Sequence, residues 1–312
     1  MPNNSVSRRS LLRGLAGAAS LSFAPSVFAP FAFGQDSGIQ STKLADRLYV
    51  LMGDGGNVAI LTSPDGLFMV DGGLPEQAAA MAAAIAKVNK APVTTLFDTH
   101  WHGDHVGSNV TMGQKGAKIV AHDNARARLS SRQTIEALNR VVDPLPPAGI
   151  PGVTFSSKGT IAFGDETIQY EPVPPAHTDG DTFLFFPKSN VMHTGDLLFN
   201  GAYPFIDYST KGWVGGMLAA ADKLLTVGDA KTQIIPGHGP MATRADLQAS
   251  RDLLDLVMTR LDPMAKAGKS VDDVVAAAPL KDKDAQWGNG FMKPEAFTRI
   301  AYTSIVRHYQ AT

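Results

Sequence analysis

The chain has 312 residues, enough for one or two domains, and 28 Lys plus Arg set against 29 Asp plus Glu leave a formal net charge of −1. That balance excludes the strongly basic surface by which nucleic acid is recruited, and the expected partner is a small-molecule substrate rather than DNA or RNA. Cysteine is absent, which removes disulfides, thiolate metal ligands and thiol nucleophiles together, so any bound metal must be held by His, Asp or Glu.

The N-terminus reads as an address. Ser7-Arg8-Arg9-Ser10-Leu11-Leu12-Arg13 and the weakly apolar run Gly14 to Phe33 have the form of a twin-arginine signal. Small residues at Ala32 and Gly34 place its end at residue 34. The run is a poor membrane span, so no stable span is expected after its removal. The expected partner is the twin-arginine export machinery, and the expected location is periplasmic or secreted. Residues 35–45 read as a flexible linker and 46–312 as a single domain.

Arg47 to Met52 reads as a strand closed by the turn Gly53-Asp54-Gly55-Gly56, whose glycines lack the spacing of a phosphate-binding loop. Val58 to Thr62 and Leu67 to Val70 flank Ser63-Pro64-Asp65-Gly66 and form a hairpin. Pro75 opens a helix running to Asn89, with Met81, Ile85 and Val88 on one face. Val93 to Phe97 is the next strand. It delivers Asp98-Thr99-His100-Trp101-His102-Gly103-Asp104-His105 at its C-terminal end, where ligands gather in layered α/β folds.

That octapeptide holds three imidazoles and two carboxylates. His100 and His102 at i and i+2 can point the same way and grip one cation. After Gly103 the chain can turn and aim Asp104 and His105 at a second one. Imidazole with carboxylate favours a borderline ion such as zinc, with iron or manganese as the alternatives.

Lys118 to Ala121 reads as a strand, Asp123 to Arg140 as largely helical, and Asp143 to Gly152, with four prolines, as a loop. His122 between them reads as a helix-start or packing residue. Thr160 to Tyr170 reads as two strands around Gly164-Asp165. His177 follows in a turn-rich segment as a further metal ligand, before the strand Thr182 to Phe186. The strand Val191 to Thr194 ends in Gly195-Asp196, and Gln233 to Ile235 ends in Pro236-Gly237-His238-Gly239-Pro240, so four strand ends converge on one edge. Met217 to Leu225, Leu254 to Leu261 and Lys293 to Tyr309 carry helical apolar stripes and read as core-packing helices, with His308 at a packing or surface position.

These motifs, Val70-Asp71-Gly72-Gly73, Thr99 to His105, His177, Gly195-Asp196 and Gly237-His238-Gly239, resemble in order those of the metallo-β-lactamase fold hydrolases. The resemblance runs from about Asp46 to Tyr309. It implies an α/β chain folded as an αββα sandwich of two mixed β-sheets flanked by helices. It implies two zinc ions per chain, one on His100, His102 and His177, the other on Asp104, His105 and His238, with Asp196 bridging. The ligand set is similar to that of glyoxalase II and the lactonases. The acquired-type β-lactamases differ in placing a cysteine near Asp196. The implied activity is hydrolysis of a small ester, thioester, lactone or lactam by zinc-bound hydroxide, with Asp104 as the catalytic residue that orients the nucleophile and moves its proton. A β-lactamase proper, a metallo-nuclease or phosphodiesterase, and a periplasmic accessory protein are the alternatives.

Outside that set the sequence leaves choices open. Asp71, Asp98 and Asp181 read either as partners of ligand histidines or as turn residues. Trp101, Tyr203, Phe205 and Trp213 read either as a substrate wall or as core. Asn200 reads as an oxyanion donor or a turn residue, and His193 as a buried, satisfied histidine.

Overall fold

The structure, a computed structural model, describes residues 38–311. The twin-arginine signal and the start of the linker lie outside the described residues. The first half of the chain runs β1 (Gln40–Lys43), β2 (Leu48–Met52), β3 (Val58–Ser63), β4 (Gly66–Val70), α1 (Ala78–Val88) and β5 (Val93–Phe97). It continues through α2 (Asn109–Gln114), β6 (Lys118–His122), α3 (Asp123–Leu129), β7 (Gln133–Ile135), β8 (Arg140–Val142) and β9 (Val153–Phe155). The second half runs β10 (Gly159–Phe163), β11 (Glu166–Pro172), β12 (Thr182–Phe186), β13 (Val191–His193), α4 (Val214–Leu224) and β14 (Gln233–Ile235). Four helices close it: α5 (Arg244–Lys266), α6 (Val271–Ala277), α7 (Asp284–Trp287) and α8 (Pro294–Ala311).

Two mixed sheets result. One has the order β1-β2-β3-β4-β5-β6-β9, antiparallel as far as β4 and parallel beyond it. The other has the order β10-β11-β12-β13-β14, antiparallel except for the parallel pair β13 and β14. Strand alternation explains how they stack. Ala59, Leu61, Phe68 and Val70 point between the sheets and meet Leu184, Phe186, Val191 and Ile235. Their neighbours Val58, Ile60, Leu67 and Met69 point outward against Met81, Ala84 and Ile85 of α1. On the far side, Phe183, Met192 and Ile234 pack against α4, α5 and α8 through Met217, Leu254, Val257 and Phe297. This is the expected αββα sandwich. Full burial of a side chain the size of Met81 or Ile85 contributes about 1.5–3 kcal/mol, so a charge at Ile85 would detach α1 from the sheet.

Two expectations change and one element is added. Within the stretch read as linker, residues 40–43 form the edge strand β1, with Thr42 opposite Val50. The stretch read as helix from Asp123 to Arg140 has a single 3-10 turn at Glu136–Leu138 and is α-helical only to Leu129. There the Ser130 and Ser131 hydroxyls donate to the carbonyls of Arg126 and Ala127, which occupies the helix's last acceptors. β7 and β8 then pair through β-branched residues, Thr134 opposite Val141, across a turn with Asn139 at φ 48°. Finally, α2 directly follows the histidine cluster in a segment to which the sequence reading gave no element. Among the described residues no helix is long and apolar enough to cross a membrane.

Candidate metal centre

The seven singled-out side chains come from four strand ends. His100, His102, Asp104 and His105 follow β5, His177 follows β11, Asp196 follows β13 and His238 follows β14. β11, β13 and β14 run in the same direction, so their C-terminal ends share one edge. The structure gathers the seven into two adjoining groups: His100, His102, His177 and Asp196, and Asp104, His105 and His238, with the donor atoms of each group within 4.8 Å of one another. Asp196 stands between them. Its Oδ2 is 3.3 Å from His177 Nε2 and 3.8 Å from His100 Nε2, while its Oδ1 is 3.0 Å from His105 Nε2 and 3.3 Å from His238 Nε2. Asp104 Oδ2 lies 3.3 Å from His238 Nε2.

Two glycines make room for this. A side chain at Gly237 would run into Asp196 Oδ1, and one at Gly56 would run into the His105 ring. Asp71 sits at φ 60°, a left-handed conformation that Asp tolerates better than most residues. From there its carboxylate accepts the Thr99 backbone N–H, the Thr99 hydroxyl and His105 Nδ1–H, each at 2.8 Å.

The outer nitrogen of each ring sets what the inner nitrogen presents. His105 Nδ1–H donates to Asp71 and His177 Nδ1–H to the carbonyl of Phe205, both at 2.8 Å. His102 Nε2–H donates to Asp207 Oδ2 at 3.2 Å. The Thr99 hydroxyl, committed as a donor to Asp71, leaves its lone pair to His100 Nδ1–H at 3.1 Å. Four imidazoles therefore turn lone pairs inward. His102 Nδ1 and His177 Nε2 face each other at 2.8 Å, an arrangement that needs a positive charge between or upon them. His100 Nε2 and Asp196 Oδ1 are buried with no hydrogen-bond partner among the described residues. Orphaned, convergent nitrogen and oxygen donors are what a divalent cation would satisfy, so these residues fit the metals that the resemblance implies.

Electrostatics divides the cluster. Burial lowers His100 well below the usual histidine range and takes His177 to about 4, leaving both neutral and ready to coordinate. Burial acts the same way on His105 and His238, but Asp196 and the neighbouring carboxylates outweigh it, raising His105 strongly and His238 to about 9. Asp196 itself is held far below the carboxylate range, because His105, His238, His177 and His100 together outweigh its burial.

A cleft of about 270 Å³ opens over the cluster and is bordered by His102, Asp104, Asp196 and His238. Asp104 is the most exposed of these four, its side chain 28% exposed against 4% for Asp196. Of the four aromatic residues left open, only Phe205 lines the cleft. Trp101 is buried, Tyr203 stacks on Phe297 and bonds Asp284, and Trp213 stacks on His308. Asn200 gives its amide to the carbonyls of Pro240 and Met241 and serves as a turn residue. His122 caps α3 by accepting from Asn124 N–H. His193 is buried and satisfied by the Asn57 carbonyl and the Gly195 N–H. Asp181 pins the His177 loop through the backbone N–H groups of His177 and Thr178, and Asp98 takes the Asn109 amide. Asp207 escaped the sequence reading. Its one cue, a turn in which Oδ1 accepts Ser209 N–H, gives no hint that Oδ2 holds a ligand histidine.

A family model described as the metallo-beta-lactamase superfamily matches residues 51–260. The chain belongs to this superfamily. Its relatives include the alpha subunit of 2,4-dinitroanisole O-demethylase from Nocardioides sp., 22% identical over 71% of this chain and 64% of that one. Hydroxyacylglutathione hydrolase of Nitrosococcus oceani is 29% identical over 50% of this chain and 52% of its own. The matches span less than two thirds of either relative. Metallo-beta-lactamase type 2 of Bacillus cereus is 22% identical over 64% of this chain and 72% of its own. Among solved structures, a metallo-beta-lactamase from Pontibacter korlensis superposes with a TM-score of 0.58 at 19% identity, covering 70% of this chain and 99% of that one. The sec-alkylsulfatase Pisa1 from Pseudomonas sp. gives 0.64 at 14% identity, covering 85% and 50%. The superfamily includes hydrolases among the relatives matched, and the His/Asp cluster here is of a kind that could hold divalent metal.

Proposed function

We propose that the protein is a dinuclear metal hydrolase, with zinc as the metal, cleaving a small ester, thioester, lactone or lactam. The observation that carries this is Asp196, which offers one oxygen to each of two adjoining groups of His and Asp side chains. When bound, a pair of divalent cations supplies Lewis acidity, polarising a carbonyl and acidifying water near neutral pH.

The chain's own groups do the rest. Asp71, Asp207 and the Phe205 carbonyl hold three rings in the ligating tautomer. Asp104, held far below the carboxylate range by His105 and His238 against its burial, is an ionised carboxylate at the cleft floor. It orients the attacking water as a hydrogen-bond acceptor. Phe199 and Phe205 flank the floor and keep bulk water from the reacting carbonyl.

Metal analysis of the purified full-length chain, paired with a panel of ester, thioester, lactone, β-lactam and phosphodiester substrates, tests the proposal. About two divalent ions per chain are expected, with acyl hydrolysis lost on chelation and in His102→Ala. Metal-free protein whose hydrolysis survives chelation would overturn it, as would turnover confined to the phosphodiester.

A further inference from the structure

The walls of the cleft differ from its floor, and they carry information about the substrate. Phe199 stacks on His238 with centroids 5.0 Å apart, and Phe205 lies 5.8 Å from the rings of both His102 and His177. Above these, Ile135 and Leu138 reach in from the β7–β8 hairpin, Leu74 from the segment after β4, and Phe291 from the segment between α7 and α8. Phe291 meets Phe205 edge to face at 6.5 Å. Phe291 and Leu138 are half-buried and line the cleft.

The charged residues of the lining outside the metal cluster are Asp54, Glu76 and Arg140. They are exposed or half-buried and of both signs, and Asp54 already accepts from Gln77. Such a rim selects no substrate charge, whereas six apolar side chains enclose the space next to the reacting position. Of these six, only Phe291 lies beyond residues 51–260 matched by the superfamily model.

Resting on the hydrolase reading, we infer that the acyl substrate carries a compact, uncharged apolar group, the size of a phenyl ring or a short branched chain. Leu138 and Phe291 are the residues that select it. The group lies between the hairpin and Phe291, over Phe205, and its burial brings the carbonyl down beside Asp104. A pocket of this kind discriminates by the apolar area it covers, about 10- to 200-fold for each methylene-scale difference.

The inference is tested first by binding, which needs no turnover. Calorimetry of the metal-loaded full chain is expected to show phenylacetamide binding at least about tenfold tighter than acetamide. Leu138→Ala and Phe291→Ala should each erase most of that difference, and Phe291→Leu should restore part of it. Circular dichroism and metal content are expected to match the wild type in all three. Equal affinity for the two amides, or discrimination unchanged in both alanine variants, would overturn the inference. In a parallel assay, kcat/KM for the phenylacetyl ester should exceed that for the acetyl ester and for a hydroxyacylglutathione, with Phe291→Ala raising KM for the first alone. Amide discrimination without turnover of any ester would sink the hydrolase reading and leave the apolar subsite standing. Ester turnover without amide discrimination would do the reverse.

Discussion

The ligand cluster and the wall above it are built in opposite ways. The cluster hangs on the ends of four central strands; six of its seven side chains are buried, and most of its rings are fixed by a hydrogen bond on the outer nitrogen. The wall comes from a two-stranded hairpin outside both main sheets and from a loop between C-terminal helices. It is half-exposed and tied down by surface contacts. A rigid edge can set positions closely enough for chemistry, while segments outside the sheets can change without disturbing it. Damage to the floor should therefore abolish activity, and damage to the wall should only redirect it.

Asp196→Asn is expected to have the largest effect. An amide cannot offer an anionic oxygen to both ligand groups, so metal content should fall from about two per chain to one or less, with kcat/KM lower by at least about 10³-fold. Two retained metals and near-normal turnover would show that Asp196 does not join the two groups. Asp207→Ala is the next step down. It removes the acceptor that orients His102 without touching a ligand, and metal affinity measured by competition with a chelating dye should drop about 10- to 100-fold. Asp207→Asn, which keeps an acceptor oxygen, should recover part of the loss. Wild-type affinity in the alanine variant would mean that His102 is oriented by packing alone.

The same contrast explains what could be read from the sequence. His100 to His105 are contiguous and obey strand and turn geometry, so local spacing already suggested two pairs of ligands. His177, Asp196 and His238 could be placed because each follows an apolar strand and all such ends were expected at one edge. Asp207 and Phe291 have no comparable signal. Asp207 meets His102 across 105 positions and Phe291 meets Phe205 across a long helical excursion, and only tertiary packing brings them there. The hairpin was misread for a physical reason too. Asp123 to Arg140 contains good helix formers, but hydroxyl caps at Ser130 and Ser131 and the β-branched pair Thr134 and Val141 override that preference.

The smallest effect expected lies at the hairpin's anchor. Glu136 pairs with both terminal nitrogens of Arg307 on α8, and its backbone N–H donates to the Ser209 hydroxyl in the turn that carries Asp207. The pair is exposed, so Glu136→Gln should cost at most about 1 kcal/mol of stability. Its consequence should fall on substrate binding: KM for the phenylacetyl ester rises about two- to fivefold, while kcat and metal content hold. Arg307's hydrogen bonds keep the Glu136 carboxyl below its ordinary range. A lowered carboxyl pKa stabilises the fold above the unfolded value of about 4.3, and that contribution is lost as pH falls through the lower folded value. The wild-type and Glu136→Gln proteins should therefore differ in KM at neutral pH and converge in stability under acid. A fall in kcat or in metal content with KM unchanged would show that the hairpin acts on the floor through Ser209 and Asp207, and the separation of floor from wall would fail at that point.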